Sequence, residues 1–135
     1  MIKGVGVDIV RIKRLKSAVD RWGRRFLDRV FTAAEIAACY EKAQPYASLA
    51  VRFAAKEALI KASGGKLSGI AFREIEIVNR AGGAPVIKKE GRLAVALAES
   101  GIENLFLSLS HEEEYGVAMV VAEGAGNNEK RKAGF

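Results

Sequence analysis

Apolar and polar positions change rhythm several times along this chain, and each change predicts an element. Residues 4 to 12, GVGVDIVRI, are glycine or β-branched except at Asp8 and Arg11, which is the composition of a buried strand. Ile12, Leu15, Val19, Trp22, Phe26 and Val30 then recur at steps of three and four. That spacing predicts one amphipathic helix with its apolar stripe against the core. Thr32-Ala-Ala-Glu35 has capping-box spacing and opens a short helix to about residue 43. Pro45 suits a first helical turn, and no breaker follows until Gly64-Gly65, so a second long helix is predicted over 45–62. Its sequence, YASLAVRFAAKEALIKA, is apolar almost all round, as in a helix enclosed by other structure; Arg52, Lys56, Glu57 and Lys61 are the exceptions.

The second half predicts strands around one further helix. Phe72 to Val78 (FREIEIV) alternates, Ala81-Gly82-Gly83 marks a turn, and Pro85-Val-Ile is a short apolar run. Glu90 to Ser100 has helical spacing through Leu93 and Leu97. Leu105, Leu107, Leu109 and His111 alternate with Phe106, Ser108 and Ser110, and a last apolar strand, Val117 to Ala122, closes a hairpin. This order predicts an α+β fold: a single domain over 1–123, with a mostly antiparallel sheet packed against a long central helix. The terminal GAGNNEKRKAGF, 124–135, reads as a polar, basic tail.

Composition narrows the class. The chain has 135 residues, half of them hydrophobic, with only two prolines, so a disordered or low-complexity protein is excluded. No apolar run approaches the roughly 20 residues that span a bilayer, and the start of the sequence lacks a leader pattern. The lone Cys39 forms no internal disulfide, and no Cys or His cluster has zinc spacing. A reducing cytoplasm is the expected location. The net charge of +6 is concentrated: residues 11–29 hold eight basic side chains against Asp20 and Asp28, which equals the excess of the whole chain. A solvated helix face accounts for many such charge runs, but Arg14, Arg21, Arg24 and Arg25 outnumber the acids near them, which leaves a surface for an anionic partner.

Asp8 and Glu57 raise the chemical question, since a carboxylate in an apolar element costs several kcal/mol unless something compensates it. Backbone amides would satisfy Asp8, and an ordinary i, i+4 pair with Lys61 would account for Glu57. Taken together, two such acids suggest a hard divalent cation, because Mg²⁺ takes oxygen ligands and binds one or two carboxylates plus waters and phosphates. Lys61 would then meet a phosphate, and Gly4 and Gly6, on Asp8's side of the strand by alternation, would leave room for a diphosphate. His111, beside Ser108 and Ser110, would gather an imidazole and hydroxyls at one edge. The combination points to phosphoryl-group chemistry.

GVGVDIVRI, FTAAE at 31–35, RFAAKEALIKA at 52–62 and SLSH at 108–111 resemble, in order and spacing, the small single-domain 4′-phosphopantetheinyl transferases, the holo-[acyl-carrier-protein] synthases. The resemblance covers about residues 2–122. It implies transfer of the 4′-phosphopantetheine arm of coenzyme A to a serine hydroxyl of apo acyl carrier protein, with release of adenosine 3′,5′-bisphosphate. It implies Mg²⁺ on Asp8 and Glu57, catalytic roles for Glu57 and Lys61, and coenzyme A contacts from Lys61, Ser110 and His111. An acidic carrier would dock on Arg14, Arg21 and Arg24, and the enzyme would be a homotrimer with active sites between neighbouring subunits. The proton acceptor for the serine stays open among Glu57 or Asp8 acting through a metal-associated water, Glu35, and His111. The competing class is a non-enzymatic nucleic-acid-binding module using the basic helix 11–29. It explains the charge but not the two acids, and it places Trp22 and Phe26 on the core stripe, away from the arginines where bases would stack. A metal-binding homologue without transfer activity is a third reading.

Overall fold

The computed structural model describes residues 1–126. Strand β1 (Ile2–Arg11) leads directly into helices α1 (Ile12–Trp22), α2 (Arg24–Val30), α3 (Ala33–Tyr40) and the long α4 (Pro45–Ala62). A single 3₁₀ turn at Phe72–Glu74 precedes β2 (Glu76–Asn79) and β3 (Pro85–Lys88), and α5 (Gly91–Glu99), β4 (Asn104–His111) and β5 (Tyr115–Glu123) follow. β1, β5 and β4 lie side by side in that order, antiparallel throughout, while β2 and β3 form a separate antiparallel ribbon. The expected α+β architecture, an antiparallel sheet against a central helix, is the one adopted. Gly124 exchanges backbone hydrogen bonds with Met1, and from residue 127 onward the predicted tail lies outside the described residues.

α4 reaches the sheet at backbone distance because both surfaces are built from small residues. Ala54, Ala58 and Ala62 on the helix are buried, as are Ala118, Val120 and Ala122 on β5. A Cβ added at Gly4 would collide with the Ala62 carbonyl oxygen, and one at Gly6 with that of Ala58. Gly116 on β5 is equally confined: a Cβ there would stand 2.8 Å from Val51 Cγ1. The two β1 glycines therefore admit the helix, and the room expected there for a diphosphate is already filled. A second core cluster, including Leu15, Leu27, Phe31 and Ile36, joins α1, α2 and α3 to the first turns of α4 through Leu49 and Ala50.

Four local expectations are corrected. β1 is covered on one side only: Val5, Val7 and Ile9 face solvent at 52%, 55% and 63% exposure, so the strand is half-buried. Arg11 ends β1 rather than opening the basic helix, and its guanidinium donates to the Tyr115 hydroxyl at 2.8 Å. The predicted helix through Val30 breaks at Gly23, which has φ +57°, a conformation a side chain would resist. Past the break the helical phase shifts, so Leu27 takes the buried place expected of Phe26 while Val30 stays buried, and Trp22, the last residue of α1, is 53% exposed. Finally, the first half of FREIEIV curls into the 3₁₀ turn, held by Glu74 accepting from the Ala71 amide at 2.8 Å.

Candidate active site

The helix-facing row of β1 consists of Gly4, Gly6, Asp8 and Val10. Close seating of α4 over the glycines brings the helix edge bearing Glu57 and Lys61 onto Asp8. Lys61 Nζ donates to Asp8 Oδ1 and to the Val7 carbonyl, each at 3.0 Å. The Lys61 side chain is 53% exposed and that of Asp8 19%, so the pair opens to solvent. Burial pushes the Glu57 carboxyl above the usual range and the nearby Asp8 charge pushes it further, while Lys61 pulls it back. The three groups thus form one site at the free edge of β1.

The donor set suits a hard cation. Two carboxylates against one ammonium leave net negative charge, and hard oxygen donors are what Mg²⁺ accepts. Among the described residues no cluster of three or more His, Cys, Asp or Glu could hold a metal. A cation bound at Asp8 and Glu57 would therefore complete its coordination with water or substrate oxygens.

Ser110 and His111 do not join this site within one chain. Rows across the sheet run Val10, Gly116, His111 and Ile9, Val117, Ser110. Opposed residues share a face, so His111 is on Asp8's side of the sheet and Ser110 on the other. Both sit on β4, the edge opposite β1, about 10 Å away in the sheet plane. The same alternation separates His111 from Ser108 and Ser110, and the predicted gathering of the three does not occur.

Glu35 is removed from the list of proton acceptors. It forms the expected capping box with Thr32, but it is also fully buried against Lys56. Its Oε1 accepts from Lys56 Nζ at 2.6 Å and from the Thr32 amide at 3.0 Å, and its Oε2 accepts from the Ile77 amide at 3.1 Å. With its side chain sealed from solvent and paired to Lys56, Glu35 is out of a substrate's reach. Lys56 and Arg52, passed over as exceptions in an apolar helix, point inward: Lys56 bonds Glu35 and two carbonyls, and Arg52 reaches Asn79 Oδ1 at 3.1 Å.

On the basic surface, Arg14 and Arg21 are exposed with no ion-pair partner among the described residues, whereas Arg24 is engaged by Asp28 on its own helix at 3.1 Å. Arg25 and Arg29 are exposed and free of such pairing among the described residues, and they flank Trp22 and Phe26. Trp22 therefore stands among the arginines and outside the core, contrary to the position expected of it, where a base could stack on it. The Trp22-Gly23 pair was the available signal, since glycine commonly ends a helix.

Comparison with known proteins supplies the family. Residues 4–120 match the family model described as the 4′-phosphopantetheinyl transferase superfamily. The holo-[acyl-carrier-protein] synthase of Desulforudis audaxviator is 44% identical over 131 residues, 97% of this chain and 100% of that protein. The crystal structure of the Neisseria meningitidis holo-[acyl-carrier-protein] synthase superposes with a TM-score of 0.82 at 39% identity, covering 91% of this chain and 99% of that one. The Helicobacter pylori holo-[acyl-carrier-protein] synthase, solved in complex with coenzyme A, superposes with a TM-score of 0.78 at 32% identity, covering 88% and 99%. Fold and sequence agree: the chain belongs to the 4′-phosphopantetheinyl transferase superfamily, among its holo-[acyl-carrier-protein] synthases.

Proposed function

We propose that this enzyme transfers 4′-phosphopantetheine from coenzyme A to a serine of apo acyl carrier protein in a Mg²⁺-dependent reaction that releases adenosine 3′,5′-bisphosphate. The observation that carries the reading is the Asp8, Glu57 and Lys61 cluster at the open edge of β1. Asp8 and Glu57 would hold Mg²⁺, which supplies Lewis-acid neutralisation of the diphosphate. The serine oxygen forms a bond to the phosphorus that carries the pantetheine arm, and the bond from that phosphorus to the bisphosphate oxygen breaks. Lys61, half-exposed on a flexible stem, leaves Asp8 to meet the charge growing on the departing phosphate. The proton acceptors left after Glu35 are Asp8 or Glu57, each acting through a water, and the His111 of a neighbouring copy. Arg14 and Arg21 attract the acidic carrier; reversing either charge raises the KM for the carrier.

The working form is a homotrimer. Asp8 and Glu57 stand at the β1 edge, and Ser110 and His111 at the β4 edge. A ring of head-to-tail copies brings one chain's β4 edge to the next chain's β1 edge, which completes a coenzyme A site between subunits. The uncovered sheet face, with Val5, Val7, Ile9, Phe106 and Met119 exposed, supplies the apolar surface for such contacts. The decisive experiment incubates the protein with coenzyme A, Mg²⁺ and apo carrier and reads the mass gain on the carrier. No gain on any acidic carrier tested sinks the reading. Sedimentation should give the mass of three chains, and a Met119→Glu variant should sediment as a monomer and lose transfer.

A further inference from the structure

Arg92 stands where its own helix gains nothing from it. It is in the first turn of α5, where the positive end of the helix dipole disfavours a cation, and its side chain is 68% exposed. What it holds is another segment of the chain. Its Nη2 donates to the Gly69 carbonyl at 2.9 Å, and its Nη1 donates to both carboxylate oxygens of Glu74, at 3.2 and 3.4 Å. Glu74 Oε2 accepts in turn from the Ala71 amide at 2.8 Å. The backbone on either side of Ile70 is therefore gripped by one bridge of two side chains.

The gripped segment starts at the carboxylate site. Lys61 is in the last turn of α4, and the chain leaves that helix through Gly64 and Gly65, at φ +63° and +87°. Neither glycine has a neighbour within 4 Å of an added Cβ, so side-chain packing does not fix the turn. Leu67, 1% exposed, anchors the middle of the segment, and the Arg92–Glu74 bridge tethers its far end. Lys66, between the turn and Leu67, is exposed and has no ion-pair partner among the described residues. We propose that Arg92, with Glu74, is a positioning residue that holds residues 63–70 in the course along which coenzyme A extends beyond Lys61. The proposal rests on the transferase reading and adds to it a tether that touches none of the reacting groups.

Arg92→Ala and Glu74→Ala should each raise the KM for coenzyme A about fivefold, the scale of one exposed charge-assisted tether, and leave kcat and the KM for the carrier unchanged. Because the two side chains act as one bridge, the double variant should cost no more than either single one. Arg92→Lys, which keeps the charge, recovers part of the loss. Hydrogen exchange of the full-length protein, measured without coenzyme A, should speed up across the amides of 63–71 in both alanine variants while the denaturation midpoint stays close to wild type. An arginine that bound coenzyme A directly would behave in the opposite way, since Glu74→Ala would free it and lower the KM. That result overturns the tether, as do additive effects in the double variant, an unchanged KM, or exchange at wild-type rates, and each leaves the transferase reading standing. A lowered midpoint with kcat and both KM values shifted assigns the bridge to the fold alone and also overturns it. No transfer by the unmodified enzyme to any acidic carrier overturns both.

Discussion

Two lysine–carboxylate pairs stand on successive turns of α4, five residues apart, and they differ in almost every physical respect. Lys56 and Glu35 are both fully buried, 2.6 Å apart, and both are well satisfied: Lys56 also donates to the Val30 and Phe72 carbonyls, which uses all three of its N–H groups, and Glu35 also accepts two amides. Lys61 and Asp8 are open to water at 3.0 Å, with Glu57 beside them as a second acid that has no ion pair among the described residues. A saturated pair fixes geometry and does nothing else; an unsaturated one, with excess negative charge and a mobile ammonium, is where a cation and a phosphate can enter. Burial lowers the Lys56 pKa against the pull of Glu35, whereas burial and Asp8 together raise that of Glu57. The buried pair locks α4 to α3 and to the ribbon strand carrying Ile77, and so sets the helix rotation that brings Glu57 and Lys61 to Asp8.

If this division is right, the two pairs fail in different assays. Lys56→Ala leaves Glu35 charged in a dry core, and removing one partner of such a pair costs about 3–5 kcal/mol. Chemical denaturation should show that loss, and a variant that unfolds at the wild-type midpoint breaks the contrast. Converting both partners, as Lys56→Met with Glu35→Gln, removes both charges together but leaves one carbonyl oxygen where the Thr32 and Ile77 amides each had a carboxylate oxygen, so part of the stability returns. Asp8→Ala should do the reverse: arm transfer falls by about 100-fold or more, equivalent to about 2.7 kcal/mol of barrier. Its denaturation midpoint should stay close to wild type, because the lost pair is partly exposed and such pairs contribute at most about 1 kcal/mol. Retained transfer in Asp8→Ala would remove the residue from the site.

The sequence marked the residues of one of these pairs, though it matched Lys61 with Glu57 instead of Asp8, and it hid the other pair. Asp8, Glu57 and Lys61 could be read because a carboxylate in a β-branched strand and a Glu–Lys step in an alanine helix are local anomalies, and the RFAAKEALIKA resemblance joins them. Lys56 lies inside the same motif, yet its partner is 21 residues away and already had a sufficient role as a capping residue; only packing shows that Glu35 does both. The element order was legible from periodicity. The Gly23 break was not, because Trp22 and Phe26 both keep a step of three or four from the residues before them, and periodicity alone does not register a change of phase. The diphosphate room expected at Gly4 and Gly6 was misread for a similar reason: a missing side chain makes space, but topology decides whether a ligand or a helix backbone fills it.

The smallest expected effect tests the contrast most finely, because it sets stability against activity in one side chain. A carboxyl whose folded pKa is raised holds its proton more tightly in the native state than in the unfolded chain. Stability therefore falls as pH rises through the window from the ordinary carboxylate value to the raised value of Glu57, and above that window the cost is constant. Glu57→Gln carries no charge at any pH and escapes this cost. At neutral pH the variant should melt slightly above wild type, the difference should close below about pH 4, where both are uncharged at this position, and transfer should be lost. Added Mg²⁺ should raise the melting temperature of the wild-type protein, which binds it with the native carboxylates, and leave that of Glu57→Gln nearly unmoved. A variant that melts below wild type at neutral pH would mean that Glu57 is stabilised by its ammonium neighbour, as Glu35 is, and the two pairs on α4 would then differ in exposure but not in kind.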